Sequence, residues 1–319
     1  MMQKLRIMRI LFILLLLIAA SAKLFLKKDL AVEADLNAVS LDAAYETGAK
    51  RDILALMIAY PEHITGLEKD DNEFLFVLMK SGDRIIYDDK KAKTFEQKLA
   101  GADIQDCMEQ VYPLKEINNI PEKNFDPGRI RVYEFLHAVY GKTRSEIENN
   151  LANARAGSQG LSFNKRNGAA ASYETAFSDV SKLIKNDPGV YGFVFPINGT
   201  YNYRTIKGTN RLSPHAFGIA VDLKSNPHDY WQWATKEQGQ SRLESYPKSL
   251  VRVFENHNFI WGGKWNHFDF LHFEYRPELI IKSKYYIPPG EMKAYPWHYG
   301  FPGTDEVKVY IDMIDSVFE

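Results

Sequence analysis

The 319-residue sequence contains a single cysteine, Cys107. One thiol cannot close an intramolecular disulfide, so a disulfide-stapled scaffold is excluded and the fold must rest on its core and any bound metal. Cys107 has no catalytic context and reads as a small, partly buried side chain. No cysteine follows the apolar N-terminal run, which leaves lipoprotein attachment unsupported. An excess of one charge is also lacking, with 40 Lys and Arg against 41 Asp and Glu for a net charge of -1. Such a balance offers no basic field for nucleic acid or for an anionic membrane surface. Any anionic group on a substrate must therefore be met by one local cation. No internal repeat or low-complexity tract is visible.

The apolar run at the N-terminus has the marks of a targeting segment. Lys4, Arg6 and Arg9 form a basic start, and Ile10 to Ala20 is too short for a comfortable membrane span. Ala20-Ser21-Ala22 is a small-residue site suited to cleavage before Lys23. Residues 1–22 are read as a signal peptide, with an uncleaved membrane anchor as the alternative. Either reading exports the rest of the chain, to a secreted or extracytoplasmic location, and membrane contact is expected only through such an anchor.

An apolar fraction of 45% and a charged fraction of 25% are ordinary for a folded protein, and the length allows a large core. Residues 23–125 are expected to form an N-terminal extension, 126–290 the principal domain and 291–319 a helical tail. Phe74 to Met79 and Arg84 to Tyr87 flank a Gly-containing turn and predict a β-hairpin. Asp88-Asp89 beyond it reads as a solvated strand end rather than a metal pair.

Ile130, Tyr133, Leu136 and Tyr140 recur at helical spacing, as do Tyr173, Ala176, Phe177, Val180, Leu183 and Ile184. Arg155 to Gly168 reads as the loop between these helices, and Tyr191 to Pro196 as the start of a strand-rich part. Gly218 to Leu223 predicts a strand. Leu250, Val251, Phe254 and His257 predict a helix stopped near Asn258, with strands at Ile260-Trp261 and Phe268 to Tyr275 following it. A last helix is expected from Val307 to Phe318. Helices and strands mix without a regular alternation, which favours an α+β fold.

The chemistry concentrates in two stretches, Ser213-Pro-His-Ala-Phe-Gly-Ile-Ala-Val-Asp222 and Trp265-Asn-His-Phe-Asp-Phe-Leu-His-Phe-Glu274. Zinc takes imidazole nitrogen and carboxylate oxygen, and a catalytic site keeps three protein ligands with a fourth position open. His215, Asp222 and His272 supply three such groups, provided the chain turns at Gly218, where the missing Cβ permits it. Asp269, three residues before His272, is placed to accept a proton from an attacking water. Glu274 is a candidate partner behind His272. His267 alternates with Asp269 on the expected strand, so it either aids the reaction directly, orients Asp269 or caps the pocket rim. His137 reads as a core or boundary histidine, and His63, His228, His257 and His298 as structural or surface residues.

The segment from Tyr203 to Leu223 resembles the S-x-H-x-x-G-x-A-x-D signature of the M15 zinc peptidases. Trp261 to Tyr275 is similar to that family's closing motif, in which D/E-x-x-H carries base and ligand. The family comprises D-alanyl-D-alanine carboxypeptidases, D-alanyl-D-alanine dipeptidases and L-alanyl-D-glutamate endopeptidases. The close match covers about Tyr191 to Pro277, roughly a quarter of the chain. The resemblance implies zinc held by His215, Asp222 and His272, with Asp269 as the base. It implies the small antiparallel sheet with flanking helices shared by these peptidases and the hedgehog signalling domain. Arg204 matches an arginine that grips a substrate carboxylate or carbonyl, with Arg211 as its rival, and Ser213 matches a serine that supports the ligands. The expected partner is a peptidoglycan stem peptide, cleaved by carboxypeptidase or endopeptidase action. A non-catalytic module that keeps the zinc to bind wall peptides is the rival reading.

Overall fold

A computed structural model describes residues 43–319 apart from 293. The segment 1–22, expected to be a signal peptide or anchor, lies outside the described residues. Residues 51–319 form one compact unit, which holds all three sheets.

From its amino end the chain runs through a helix over 43–59 (α1), then an antiparallel meander of β1 (Ile64–Lys69), β2 (Leu75–Met79) and β3 (Arg84–Ile86). Short helices α2 (Phe95–Ala100) and α3 (Ile104–Met108) follow, then α4 (Tyr133–Tyr140) and α5 (Arg144–Asn149). A hairpin of β4 (Leu151–Ala156) and β5 (Gln159–Asn164) leads to α6 (Ala169–Asn186) and the helical turn α7 (Tyr191–Val194). The third sheet is scattered along the chain. Strand β6 (Ala220–Asp222) comes first, α8 (Lys236–Ser245) and α9 (Lys248–Asn256) intervene, and β7 (Phe259–Trp261) and β8 (His272–Tyr275) complete it. Helices α10 (Pro277–Lys284), α11 (Pro289–Met292) and α12 (Asp305–Phe318) close the chain. Helices mixed with small antiparallel sheets make this an α+β fold.

Strand β8 lies between β6 and β7, and both pairings are antiparallel. Its side chains alternate between faces, so Phe273 and Tyr275 project to one side and His272 and Glu274 to the other. The Phe273 side is the core. Phe254 of α9 stacks on Phe273 with ring centroids 4.2 Å apart, and Phe177 of α6 meets Phe254 edge-on at 5.6 Å. Burying one such ring stabilises the fold by about 1.5–3 kcal/mol. Of the positions predicted for the inner faces of α6 and α9, Tyr173, Ala176, Phe177 and Val180 on one and Leu250, Val251 and Phe254 on the other are buried, while Leu183, Ile184 and His257 are half-buried. Asn258 ends the second helix in the left-handed region, with φ 65°.

Residues 51–125 are stitched to the rest of the unit by buried polar contacts. Tyr112 Oη donates to Glu255 at 2.6 Å, Tyr60 Oη to Glu278 at 2.7 Å, and Lys282 pairs with Asp52 at 2.6 Å. The predicted hairpin is present as β2 and β3, with Gly82 at φ 85° in its turn.

Three sequence-based assignments need correction. Residues 155–168 are not a loop, because β4 and β5 pair across a Gly157-Ser158 turn with Gly157 at φ 62°. The inward residues of β4 are Ala154 and Ala156, too small to make a visible apolar alternation. Residues 191–194 form a helical turn rather than a strand. Residues 266–271 are not strand either. Their backbone N–H groups go to scattered acceptors, Asn266 to Phe125, Asp269 to Gly262 and Phe270 to Asp229, instead of to a ladder. Among the described residues no helix is long and apolar enough to cross a membrane.

Candidate metal centre and active site

The cross-strand register builds the centre. Asp222 lies directly opposite His272 in the β6–β8 pair, so carboxylate and imidazole emerge side by side on the face away from the Phe273 core. His215 comes from a 3-10 turn over Pro214–Phe217. Ser213 caps that turn, its Oγ accepting from the His215 N–H at 3.3 Å. The turn ends at Gly218, with φ 69°, and a Cβ there would stand 2.7 Å from Leu151 Cδ2. The turn expected at Gly218 is therefore present, and both backbone conformation and space require glycine.

The three donors converge. Asp222 Oδ1 receives His215 Nε2 at 3.1 Å and His272 Nδ1 at 3.0 Å. One ligand atom from each of the three residues lies within 4.8 Å of the others, so the group could hold a metal ion. The remote ring nitrogens are fixed as metal-binding histidines require. His215 Nδ1 donates to the Thr200 carbonyl at 2.5 Å, and His272 Nε2 faces Glu274 Oε2 at 3.6 Å. Two neutral imidazoles and a carboxylate, each held from behind, fit a borderline divalent cation.

Glu274 is held in turn. Arg131 contacts it at 2.9 Å through Nε and 2.5 Å through Nη2, and Arg276 Nη1 lies 3.3 Å away, all of them buried. Burial alone would raise the Glu274 carboxyl. The Arg131 guanidinium, with His272 and Arg276, outweighs burial and holds it well below the usual range. Burial disfavours a charged His272, but Asp222 and Glu274 on either side lift it to about 10. Asp222 shows the complement: burial opposes its charge, and His215 and His272 hold it far below the ordinary value. Without a cation, a proton on His272 supplies positive charge that the neighbouring carboxylates demand.

Asp269 sits on the loop before β8, and its backbone bridges to Tyr230. Its Oδ1 is shut off from solvent and has no hydrogen-bond partner among the described residues. Burial foremost, with Asp222 and Asp229 and against the pull of His272 and Arg129, raises its pKa to about 7. A buried carboxylate oxygen left unmatched beside a ligand cluster is costly, and such costs gather at working sites.

The other candidates part company. Arg204 is exposed, and among the described residues its guanidinium has no hydrogen bond or ion pair. Arg211 is engaged elsewhere, donating to the Leu99 carbonyl at 2.7 Å. His267 is not on a strand with Asp269. Buried Asp126 takes its backbone N–H at 2.9 Å and its Nδ1 at 2.6 Å, while Phe95 stacks on the ring and Trp231 meets it edge-on. Asp88, Asp89 and Asp103 also come within ligating reach of one another, but Lys93 holds that place, 2.9 Å from Asp89 and 2.7 Å from Asp103. Cys107 is buried against Arg276, as its bland reading anticipated.

Sequence reasoning missed Arg129, Arg131, Arg276 and Asp126. Arg129 is three-quarters buried, lies over the Trp231 ring, and acts on both Asp269 and Tyr230 through its charge. The Asp126 to Arg131 run, with a Pro-Gly turn between an aspartate and two arginines, was the available signal.

Residues 207–275 match the family model described as D-alanyl-D-alanine carboxypeptidase, one of the M15 peptidase models. That match spans both motifs and all three of His215, Asp222 and His272, and it supports an M15-type peptidase. No curated protein and no solved structure matches the chain.

Proposed function

We propose that this protein is an exported, zinc-dependent peptidase of the D-alanyl-D-alanine carboxypeptidase type, acting on peptidoglycan stem peptides through a hedgehog/DD-peptidase-like fold. The observation that carries the proposal is the solvent-shielded, partnerless Oδ1 of Asp269 beside the convergent His215, Asp222 and His272. A module that only bound peptides would have no use for an unmatched buried carboxylate, so the catalytic reading is favoured over the binding one.

Zinc held by those three residues would polarise the scissile carbonyl and make a water acidic enough to attack at neutral pH. Asp269 takes the proton of the attacking water and returns it to the departing amine. A carboxyl raised towards neutrality can both accept and release that proton. Glu274 and the Thr200 carbonyl keep the two imidazoles in the tautomers that present Nδ1 of His272 and Nε2 of His215 to the metal. Arg129 and Arg204 supply the cations that the near-zero net charge demands for the substrate's terminal carboxylate. His267, fastened to Asp126, positions the loop that carries Asp269.

The test is digestion of purified wall material and of defined stem pentapeptides by the zinc-loaded full-length protein, followed by mass spectrometry. Loss of a single terminal alanine is expected. Cleavage between L-alanine and D-glutamate would replace the carboxypeptidase assignment with an endopeptidase one. Retention on the wall with no released fragment would establish the binding module instead.

A further inference from the structure

A second concave site lies away from the metal centre. It is a cleft of about 1000 Å³ that none of His215, Asp222, Asp269 or His272 lines. Its floor includes Tyr275, which projects from the core side of β8 and donates through Oη to the Asn167 carbonyl at 2.9 Å. Four cationic side chains reach it, Lys80, Lys142, Lys165 and Arg166, all exposed. Lys142 is neutralised by Asp83 at 2.7 Å. Lys165 Nζ meets only the Asn149 carbonyl, at 3.1 Å. The side chains of Lys80 and Arg166 have no hydrogen-bond or ion-pair partner among the described residues. Of the two acids on the rim, Glu146 already accepts from the Lys142 backbone N–H at 2.9 Å. Three cations without a carboxylate partner thus face two acids on the rim, Glu62 and Glu146, an excess of positive charge.

The backbone adds to this charge. Helix α6, 18 residues long, begins at the cleft with Gly168 as its N-cap, no side chain capping its first turn and no acid within it. A helix N-terminus carries partial positive charge, which adds to that of the cations here, although Ala169 and Ala170 are buried and the Ala169 N–H already goes to the Arg166 carbonyl. A separate observation points to a ligand. His63 lines the cleft with only 8% of its surface exposed, and its ring nitrogens have no partner among the described residues. Burial first, then the Arg166 charge, with Lys80 adding to it, keeps its imidazole below the ordinary value, so a neutral ring N–H is available to donate.

We propose that this cleft binds a multiply charged, phosphate-bearing ligand, held by Lys80, Lys165 and Arg166 beside the N-terminus of α6, with His63 donating from the wall. Phosphate suits the set because each group presents several strong acceptor oxygens and up to two charges to guanidinium and ammonium donors. A single phosphate ion is far smaller than the cleft, whose volume lies in the range of sites for cofactor-sized ligands. The ligand is therefore a phosphorylated small molecule or a phosphate polymer rather than the free ion. The proposal stands apart from the peptidase assignment, and its test does not read hydrolysis.

Calorimetric titration of the full-length protein with inorganic phosphate, pyrophosphate and a short polyphosphate tests it, with polyglutamate as the carboxylate counterpart. Saturable binding that strengthens from phosphate to polyphosphate is expected. It should weaken at least tenfold in the Lys80→Ala/Arg166→Ala double variant and stay unchanged in Lys182→Ala, an exposed lysine of α6 that does not line the cleft. The substituted side chains are solvent-exposed, and an unchanged thermal midpoint and metal content would verify that the variants fold. Failure of every phosphate probe to saturate, or equal binding by the double variant, would overturn the site. Polyglutamate binding as tight as polyphosphate would overturn the phosphate assignment.

Discussion

Replacing Glu274 by glutamine probes the support behind the metal centre rather than the centre itself. The side chain is fully buried and serves three cationic partners, Arg131 at 2.5 Å, Arg276 at 3.3 Å and His272 at 3.6 Å. Arg276 retains Glu278 at 2.5 Å when Glu274 loses its charge, whereas Arg131 is left with no carboxylate among the described residues. Stranding one partner of a buried ion pair costs about 3–5 kcal/mol. At about 2–4 °C per kcal/mol for a unit of this size, the melting temperature should fall by roughly 6–20 °C. The amide also ceases to be an anionic acceptor for His272 Nε2, and loss of such a partner weakens metal binding about 10- to 100-fold. The pH dependence has a definite sign. Because the Glu274 carboxyl titrates lower in the folded than in the unfolded chain, its contribution is fully present above the unfolded value of about 4.3. It is lost progressively as pH falls from that value through the lower folded one, so the gap between parent and variant stays constant above about 4.3 and narrows below it. Scanning calorimetry across pH and a competition titration against a zinc chelator would measure both effects. A variant that melts with the parent at neutral pH, or a gap that widens on acidification, would refute the reasoning.

Four further outcomes are expected. Asp269→Asn should retain metal and fold but lose about 10²–10⁴-fold in turnover, checked by kinetics beside metal analysis. In the parent enzyme kcat/KM should decline as acid protonates Asp269, whose pKa is about 7 before a cation is bound and lower afterwards, and Asp269→Asn should lack that limb. His215→Ala and His272→Ala should each abolish stoichiometric zinc, measured by elemental analysis; full retention in both would sink the centre. Gly218→Ala, forced into φ 69° with its Cβ 2.7 Å from Leu151, should cost about 1–3 kcal/mol in denaturant unfolding.

The centre was more legible in the sequence than the fold around it. Ligand type and spacing singled out His215, Asp222 and His272 because metal chemistry restricts the residues that can serve. The Asp222–His272 register then delivers two of them side by side. The supports were hidden for physical reasons. Thr200 contributes a backbone carbonyl, which any residue has, and Arg131 reaches Glu274 across 143 positions. Helices α6 and α9 were readable from large apolar side chains at helical spacing. The β4–β5 hairpin was not, since the inward positions of β4 are alanines. Phe268 and Phe270 imitated a strand, but their segment is shaped by tertiary hydrogen bonds to Phe125, Asp229 and Gly262 that no local pattern announces.

The position of β8 between two partners makes the centre an all-or-none reporter of strand alignment. A slip of one residue against β6 would set Phe273 opposite Asp222 and turn His272 towards the hydrophobic side, leaving one histidine and one carboxylate in place. The same slip would break the pairing of Phe273 with Trp261 and of Glu274 with Ile260 on the other flank, so both ladders resist it together. Under the proposed function, metal uptake would read out alignment directly. Deleting one residue inside 272–275 should abolish it even where the helices persist.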